Sequence, residues 1–384
     1  MMDLRQLVLP AACAAIAFGA GAAWTMDGRA DAQRATAAEM PVLVQPDGSY
    51  PVKPLAKDKV VLKVLQTTVD SLSDFPTVEE GLEHNLQHME KIAAEACSTG
   101  KKPDFLLYHE FPLTGYSGGS RTEKLKYTVK IPGPETERLG KIAKDCDTYL
   151  VFGTYATDDD WPGHILSINT VIGRDGKVAK AFWKSRNIKR IYPDREITTT
   201  TIEAVRDKYR AMYGPEEEFP VLQTEYGNIA VSTVQMDPFI FAAFAMRGTE
   251  IMIRTATLFA EEDVTSMARI NDFYSTMTNI AFPPTDKYKA GESIIVGPNG
   301  EILAKDPSLD KDGIIEAEIP IAAFRKGRKI PNYALDMVKP VLAQYVQEFP
   351  LNHLDVPRDQ LPETGVAMKE LMESVSRFNH PPKD

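Results

Sequence analysis

Three polar side chains follow short apolar stretches of the sequence, and two of them are suited to acid-base chemistry. Glu110 comes soon after the apolar run Phe105–Tyr108, and Lys184 directly follows Ala181-Phe182-Trp183. A charged side chain at the end of a buried strand is costly to desolvate, so each is expected to be functional or ion-paired. Gln235 ends a third apolar run, and its amide forms hydrogen bonds but cannot act as a nucleophile. The sequence predicts one shared site of proton transfer, with a structural ion pair as the alternative.

Strands and helices alternate around these side chains. Strands are predicted from β-branched and apolar runs, and helices from apolar residues spaced three and four apart. The predicted strands are Val60–Thr67, Phe105–Tyr108, Tyr149–Gly153, Ile168–Arg174, Lys177–Lys184, Ile229–Val234, Ile251–Arg254 and Gly313–Ile319, with a late hairpin over Glu292–Ala304. The predicted helices are Val78–Cys97, Thr136–Cys146, Phe239–Arg247, Glu262–Met277, Tyr333–Glu348 and Glu363–Phe378. The alternation of helices and strands, together with the hairpins, predicts an α/β sandwich with at least partly antiparallel sheets.

The N-terminal segment has the features of a bacterial-type signal peptide. Arg5 precedes the apolar stretch Leu7–Trp24, and Ala30-Asp31-Ala32 has the small-x-small pattern of a signal-peptidase site. This predicts a periplasmic or secreted protein, cleaved after Ala32 and not stably inserted in a membrane. The alternative is an uncleaved anchor, because the apolar run is close to the shortest length that spans a bilayer.

The remaining chain divides into three predicted parts. Residues 33–57 lack apolar periodicity and are predicted to form a linker or an extended arm. Residues 58–330 are predicted to form the α/β domain. The proline-rich tail, residues 331–384, is expected to form short helices that wrap this domain or contact a partner subunit.

The composition of the chain argues against several classes of binding partner. A net charge of -10 argues against a nucleic-acid partner, and the short basic run Lys184–Arg190 is interpreted as a solvated loop. No metal-ligand spacing and no glycine-rich phosphate loop is found, so neither a metal nor another cofactor is predicted. Cys97 and Cys146 belong to separate helical patterns and are interpreted as two buried free thiols, with a disulfide as the alternative. The expected partner is a small-molecule substrate.

The ordered motifs resemble those of the nitrilase, or carbon-nitrogen hydrolase, superfamily. The block Tyr108–Tyr116 is similar to the family segment that holds a general-base glutamate, and Phe182-Trp183-Lys184 is similar to the strand end that holds its lysine. Gly291–Gly300 is similar to its late hairpin. The resemblance extends from Val60 to the region of Arg328. It implies a four-layer αββα sandwich with mixed sheets that assembles as a homodimer or a larger homo-oligomer.

In that family a glutamate, a lysine and a cysteine cleave amides and nitriles through a thioester. The resemblance places Glu110 and Lys184 at the first two positions. It places Gln235, two residues before Asp237, at the position of the cysteine. No cysteine follows Cys146, so the resemblance implies that thioester chemistry has been lost.

Four further residues are predicted around the pair. Glu196 best matches a second family glutamate that orients the lysine, with a surface role as the alternative. His109 and Tyr116 flank Glu110. Both are predicted either to line the pocket as binding or acid-base groups, or to pack at the strand-to-loop corner with His109 bonded to a backbone group. Tyr192 adds an aromatic ring near the site, which is compatible with an aromatic substrate.

Three functions remain open from the sequence. The first is a non-thiol enzyme for proton abstraction, elimination or carbon-carbon cleavage. In it Lys184 stabilises a developing anion and Gln235 binds the substrate. The second is a non-catalytic binding or structural protein. The third is an amide or nitrile hydrolase in which Glu110 activates water directly.

Overall fold

The computed structural model describes residues 47–116, 118–189, 191, 199–282 and 289–378. The strands of this part are β1 (Val60–Gln66), β2 (Phe105–Leu107), β3 (Val129–Lys130), β4 (Tyr149–Thr157), β5 (Leu166–Ile172), β6 (Val178–Trp183), β7 (Leu222–Thr224), β8 (Gly227–Ser232), β9 (Ile251–Ala256), β10 (Tyr274–Asn279), β11 (Ile294–Val296), β12 (Ile302–Lys305) and β13 (Gly313–Ile319). Its α-helices are α1 (Val78–Ser98), α2 (Arg121–Lys124), α3 (Pro134–Cys146), α4 (Arg206–Tyr213), α5 (Pro238–Met246), α6 (Glu261–Asn271), α7 (Ile321–Gly327), α8 (Leu335–Gln344) and α9 (Gly365–Val375).

The strands form two mixed sheets with the same succession of pairings. The first sheet has the order β13-β1-β2-β4-β5-β6, with β3 beside β4, and the second has the order β7-β8-β9-β10-β11-β12. Along either order the pairs are antiparallel, parallel, parallel, antiparallel and antiparallel. The parallel pairs β1-β2 and β8-β9 are joined by the helices α1 and α5, because a parallel connection must cross over the sheet. Each sheet therefore carries its helices on one face.

The apolar residues place the two sheets face to face between two helical layers. Leu62 on β1 and Ile253 on β9 belong to one fully buried cluster that fills the space between the sheets. On the outer face of the first sheet, Leu106 packs with Met89 of α1. Helices α5 and α6 cover the second sheet through residues such as Phe241. The predicted αββα sandwich is confirmed.

One predicted helix was too long. The pattern Glu262–Met277 was predicted as a single helix, but α6 ends at Asn271. Asp272 follows in a left-handed conformation with φ 49°, which terminates the helix. The next residues form β10, where they pair in parallel with β9. Because serine and threonine residues separate the apolar ones in this buried strand, it lacks a continuous apolar run, and its pattern was taken for a continuation of the helix.

The prediction of two free thiols was wrong. Cys97 and Cys146 form a disulfide with a Cα–Cα distance of 5.9 Å. Helices α1 and α3 each lead directly into a strand of the parallel set β1-β2-β4, namely β2 and β4, so the two helices run in the same direction. Their carboxyl ends consequently meet at one edge of the sheet, where the two cysteines lie. This neighbourhood depends on strand order, which the two separate helical patterns do not show.

The ends of the described chain are held in different ways. In the segment from residue 47 to residue 57, the hydroxyl of Tyr50 donates to Glu250 at 2.8 Å and Ala56 bonds the backbone of Glu225. This part of the predicted arm therefore lies against the domain, while residues 1–32, the predicted signal peptide, and residues 33–46 lie outside the described residues. Helix α9 buries Met368 and Met372 in an apolar cluster beside β5, so this part of the tail wraps its own domain.

Helix α8 differs from α9 because none of its residues is buried. The predicted homo-oligomer stays a prediction. None of the helices among the described residues is long and apolar enough to cross a membrane.

Candidate active site

A cavity of about 150 Å³ is lined by the residues that follow four strands. Glu110 comes from the chain after β2, Lys184 from the end of β6, Gln235 from the turn after β8, and Phe259 from the chain after β9. The first two strands belong to one sheet and the last two to the other, so the cavity lies where the two sheets meet. The structure brings together the three residues on which the predicted chemistry depends.

Glu110 and Lys184 form a direct ion pair. The ammonium nitrogen of Lys184 lies 3.2 Å from Oε1 of Glu110. The Glu110 side chain is only 5% exposed and that of Lys184 is 16% exposed. Water therefore screens the pair weakly, and each charge lowers the cost of burying the other. Both groups also face the cavity, which a purely structural ion pair would not require.

The backbone of Glu110 lies against a glycine of β4. A Cβ atom at Gly153 would be 2.3 Å from the carbonyl oxygen of Glu110, closer than any side chain allows. The Gly153 N–H donates to the carbonyl oxygen of His109 at 3.0 Å. The strand-to-turn corner that carries the carboxylate thus depends on the absence of a side chain at residue 153.

His109 supports this corner from behind. It is fully buried, and its Nδ1 accepts a hydrogen bond from the backbone N–H of Phe111 at 3.2 Å. Its proton is therefore on Nε2, which lies 2.7 Å from the hydroxyl of Thr67. Burial lowers the pKa of His109 to about 3, so the ring is neutral. His109 bonds a backbone group beside Glu110 and is not among the residues that line the cavity.

Lys184 is fixed through its backbone on two sides. Its N–H donates to the carbonyl oxygen of Ser167 on β5 at 3.1 Å, and its carbonyl accepts from Ile202 at 3.1 Å. Strand residues two positions apart share a face, so Lys184 continues the face on which Phe182 is buried between the sheets. The ammonium group thus emerges at the edge of the intersheet core.

Gln235 lies in a tight turn between β8 and α5. Its side chain is partly buried and lines the cavity, whereas Met236 points outward with a left-handed backbone, φ 53°. The next residue, Asp237, caps α5 by accepting a hydrogen bond from the N–H of Ile240 at 3.3 Å. The amide of Gln235 can bond a ligand that also reaches the Glu110–Lys184 pair.

Arg186 is a cavity residue that the sequence did not reveal. Its Nη1 lies 2.5 Å from Oδ2 of Asp237, which joins the chain after β6 to the turn after β8. Its Nε lies 3.8 Å from a carboxylate oxygen of Glu203, and Gln347 of the tail bonds the same carboxylate at 2.5 Å. The basic run around residue 186 was interpreted as a solvated loop, yet it contributes a second cation to the cavity. A cluster of basic residues directly after Lys184 was the sequence feature that could have indicated this second cation.

Aromatic rings form one wall of the cavity. Phe111 and Tyr155 stack with ring centroids 4.1 Å apart, and Tyr116 lies 6.0 Å from Phe111. Tyr116 therefore occupies the predicted pocket position. Among the residues with described positions, the cavity-lining hydroxyls of Thr233 and Thr257 have no hydrogen-bond partner. These hydroxyls are available to polar atoms of a ligand or to water.

Two predicted site residues, Tyr192 and Glu196, lie outside the described residues. Within the described ranges, no group of three or more His, Cys, Asp or Glu side chains could hold a metal ion. The described cysteines, Cys97 and Cys146, are joined to each other and pack with the helices outside the first sheet. No described thiol therefore faces the Glu110–Lys184 pair.

A family comparison agrees with this arrangement. The family model for carbon-nitrogen hydrolases matches residues 71–329, more than half of the chain. The chain belongs to the carbon-nitrogen hydrolase family. The match includes the three cavity residues Glu110, Lys184 and Gln235. The predicted superfamily is confirmed.

Relatives within the carbon-nitrogen hydrolases differ in activity. The chain is 27% identical over 235 residues to omega-amidase NIT2 of Homo sapiens, covering 56% of this chain and 80% of the relative. It is 24% identical over 317 residues to the bifunctional nitrilase/nitrile hydratase NIT4A of Lupinus angustifolius, covering 70% and 82%. A mutant amidase of Nesterenkonia AN1 from the nitrilase superfamily has a similar fold. Its TM-score is 0.57 at 18% identity, covering 75% of this chain and 99% of that one.

Proposed function

We propose that this protein hydrolyses the carbon-nitrogen bond of a small amide, with water activated directly by Glu110. The observation that carries the proposal is the 3.2 Å ion pair of Glu110 and Lys184 at a cavity that no described cysteine lines. Amidase and nitrilase activities in the names of its relatives favour this reaction over the non-hydrolytic reactions that the sequence favoured. Gln235 is proposed to stand where other family members carry a nucleophilic cysteine.

The first step of the proposed reaction forms a tetrahedral intermediate. The carboxylate of Glu110 removes a proton from a water molecule while the water oxygen attacks the amide carbonyl carbon. Negative charge develops on the carbonyl oxygen, and the ammonium of Lys184 stabilises it at close range. The amide N–H groups of the Gln235 side chain supply a further donor at the same cavity.

The second step breaks the carbon-nitrogen bond. The proton held by Glu110 passes to the amide nitrogen, which leaves as ammonia while the carbonyl re-forms. The carboxylic acid formed then gives its proton to ammonia, so the products are a carboxylate and an ammonium ion and one water is consumed for each amide. Without a covalent intermediate the reaction is not divided into two easier steps, and we expect slower turnover than with a thiol nucleophile.

The cavity limits the size of the acyl group. Its volume of about 150 Å³ is close to that of an engineered cavity of about 150 Å³ that binds benzene. The stacked rings of Phe111 and Tyr155 favour a planar or apolar acyl group. The amidase of Nesterenkonia AN1 has a structure in complex with acrylamide, which is also a small amide. We therefore propose small primary amides as the substrate class.

A second candidate is a non-hydrolytic acid-base reaction, such as elimination or carbon-carbon cleavage. It is favoured by the same ion pair beside Gln235, because general acid-base chemistry needs no nucleophile. In this reaction Glu110 removes a proton from carbon, and Lys184 stabilises the resulting anion. It releases no ammonia from a primary amide, so the products separate the two candidates.

The deciding experiment measures ammonia release from a panel of small aliphatic and aromatic primary amides. We expect at least one amide to yield equal amounts of ammonia and carboxylate, and Glu110→Gln and Lys184→Met to abolish the reaction. Glu318→Gln is a suitable control, because Glu318 pairs with Lys59 and Lys101 away from the cavity. The proposal is wrong if no amide releases ammonia, or if Glu110→Gln retains full activity.

A further inference from the structure

The turn that carries Gln235 is held from behind by a buried ion pair. Arg254 on β9 is fully buried, and its Nη2 donates to the carbonyl oxygen of Val234 at 2.8 Å. The same Nη2 lies 2.6 Å from Oδ2 of Asp263 on α6. The other oxygen of Asp263 accepts a hydrogen bond from the N–H of Met236 at 3.2 Å. The pair therefore bonds the backbone on both sides of Gln235.

Arg254 occupies a costly position for a guanidinium group. It lies between aromatic rings, with its central carbon 4.1 Å from the ring centroid of Phe241 and 5.0 Å from that of Phe259. Its Nε and Nη1 have no hydrogen-bond partner among the described residues. A buried ion pair with unsatisfied donors contributes less to stability than apolar side chains of similar volume. Stability alone does not account for an arginine here.

The turn itself needs external support. Met236 has a left-handed backbone conformation, φ 53°, which is unfavourable for a residue other than glycine. On the cavity side, Asp237 is bonded by Arg186. On the opposite side, the bonds from Arg254 and Asp263 hold the residues that precede and follow Gln235. The turn is thus fixed from both directions, with one side chain directed into the cavity.

We propose that Arg254 and Asp263 are positioning residues that hold the side chain of residue 235 within reach of Glu110 and Lys184. Neither Arg254 nor Asp263 lines the cavity, so they act through the turn and not on the substrate. This inference rests on the proposed function for its catalytic consequence, but not for its geometry.

The test uses a reporter that does not depend on turnover. A Gln235→Cys variant places a thiol in the turn, and iodoacetamide measures its reactivity as a function of pH. A thiol beside a base and an ammonium group reacts below the usual pKa of about 8.5, and we expect this in the otherwise unchanged protein. Adding Arg254→Met or Asp263→Asn should lower the alkylation rate at pH 7 about tenfold and move the pH profile toward 8.5. Arg254→Lys should restore part of the rate.

A matched control separates positioning from folding. Lys63 is also buried, but it bonds the carbonyl oxygen of Ala96 at 2.8 Å at the far end of α1. Lys63→Met should lower thermal stability and leave the alkylation profile unchanged. If Arg254→Met does not fold, Asp263→Asn and Arg254→Lys still decide the question. Unchanged alkylation profiles in these variants overturn the proposal.

Turnover adds a second readout once an amide substrate is known. In the protein with Gln235, Arg254→Met and Asp263→Asn should lower kcat by about tenfold or more with little change in KM, because they displace a residue and remove no binding group. Absence of any amide substrate removes only this readout. Failure of the proposed function and failure of the positioning role are therefore distinguishable.

Discussion

The ammonium nitrogen of Lys184 lies 3.2 Å from the carboxylate of Glu110, and both side chains are largely buried. Removing one partner leaves an uncompensated charge, so we expect Lys184→Met to cost about 2 to 4 kcal/mol of folding free energy. The double variant Glu110→Gln/Lys184→Met should recover much of this loss, because no lone charge remains buried. Urea unfolding of the parent protein, the two single variants and the double variant measures the coupling free energy between the two side chains. Additive losses would show that the two charges do not interact.

Gln235→Cys should create a reactive thiol in the cavity. Cys97 and Cys146 are already joined in a disulfide, so in a Cys13→Ser background iodoacetamide should modify residue 235 selectively. If the remaining site is intact, the new thiol should also accelerate amide hydrolysis through a covalent intermediate. Mass spectrometry after mixing with an amide detects that intermediate. Labelling without any acyl intermediate would mean that the cavity has been rebuilt beyond the nucleophile.

The disulfide should contribute to stability and not to catalysis. Cys97 and Cys146 are 49 residues apart, and closing a loop of this length stabilises the folded state by about 4 kcal/mol in the chain-entropy model. Reduction, or Cys97→Ser/Cys146→Ser, should lower the melting temperature and leave kcat unchanged. Titration of two free thiols in the native, unreduced protein would contradict the bond. Disulfides persist in oxidising compartments, which supports the proposed export.

Two buried histidines should make the fold sensitive to acid. Burial lowers the pKa of His109 to about 3 and that of His164 to about 4, against about 6.5 in an unfolded chain. Between these values the unfolded chain binds more protons than the folded one. The contribution of these histidines to the free energy of unfolding should therefore be fully present above pH 6.5. It should fall as the pH drops, by about 1.4 kcal/mol per pH unit for each histidine.

Urea unfolding at pH 7.5 and 5.5 measures this loss. His88 has the opposite sign, because its hydrogen bond to Asp312 raises its pKa and stabilises the fold at low pH. We therefore expect a steeper loss of stability in a His88→Gln background and a shallower one in His164→Gln. Equal stability at the two pH values in the His88→Gln background would count against the prediction.

Gly153→Ala should displace the carboxylate of Glu110. The added Cβ would lie 2.3 Å from the carbonyl oxygen of Glu110, so the backbone must shift. We expect a loss of about 1 to 3 kcal/mol in stability and a larger fractional loss in kcat than in substrate affinity. Gly327→Ala is the control, because no atom lies within 4 Å of its added Cβ. A Gly153→Ala protein with normal kcat would show that this contact does not position Glu110.

Local patterns were sufficient for much of the fold. The apolar run predicted from residue 60 to residue 67 matches β1, Val60–Gln66, and the helical spacing from residue 78 to residue 97 matches α1, Val78–Ser98. Both elements have a continuous signal in their own residues. The strand β10 does not, because its buried serines and threonines resemble the preceding helix in polarity. The helix α4, Arg206–Tyr213, was not predicted.

The candidate site also contains residues that the sequence identified and residues that it did not. Glu110 and Lys184 were identifiable because each is a charged residue at the end of an apolar run, where burial demands a partner. The roles of Arg186 and Arg254 were not, because their partners Asp237 and Asp263 approach through the folding of separate elements. Arg254 lies within an apolar strand pattern, where the sequence offered no reason to connect it with residue 235.

By itself the sequence predicted an α/β sandwich from local polarity and supplied the residue types available for chemistry, while the αββα arrangement was implied by the resemblance of its ordered motifs to the nitrilase superfamily. Only the tertiary structure decided which of these residues meet. Glu110 and Lys184 are 74 positions apart, and Cys97 and Cys146 are 49 apart. Their distances depend on strand order and on the direction of the connecting helices. That order is settled by the packing of the whole chain, because each sheet can bury its inner face only against the other.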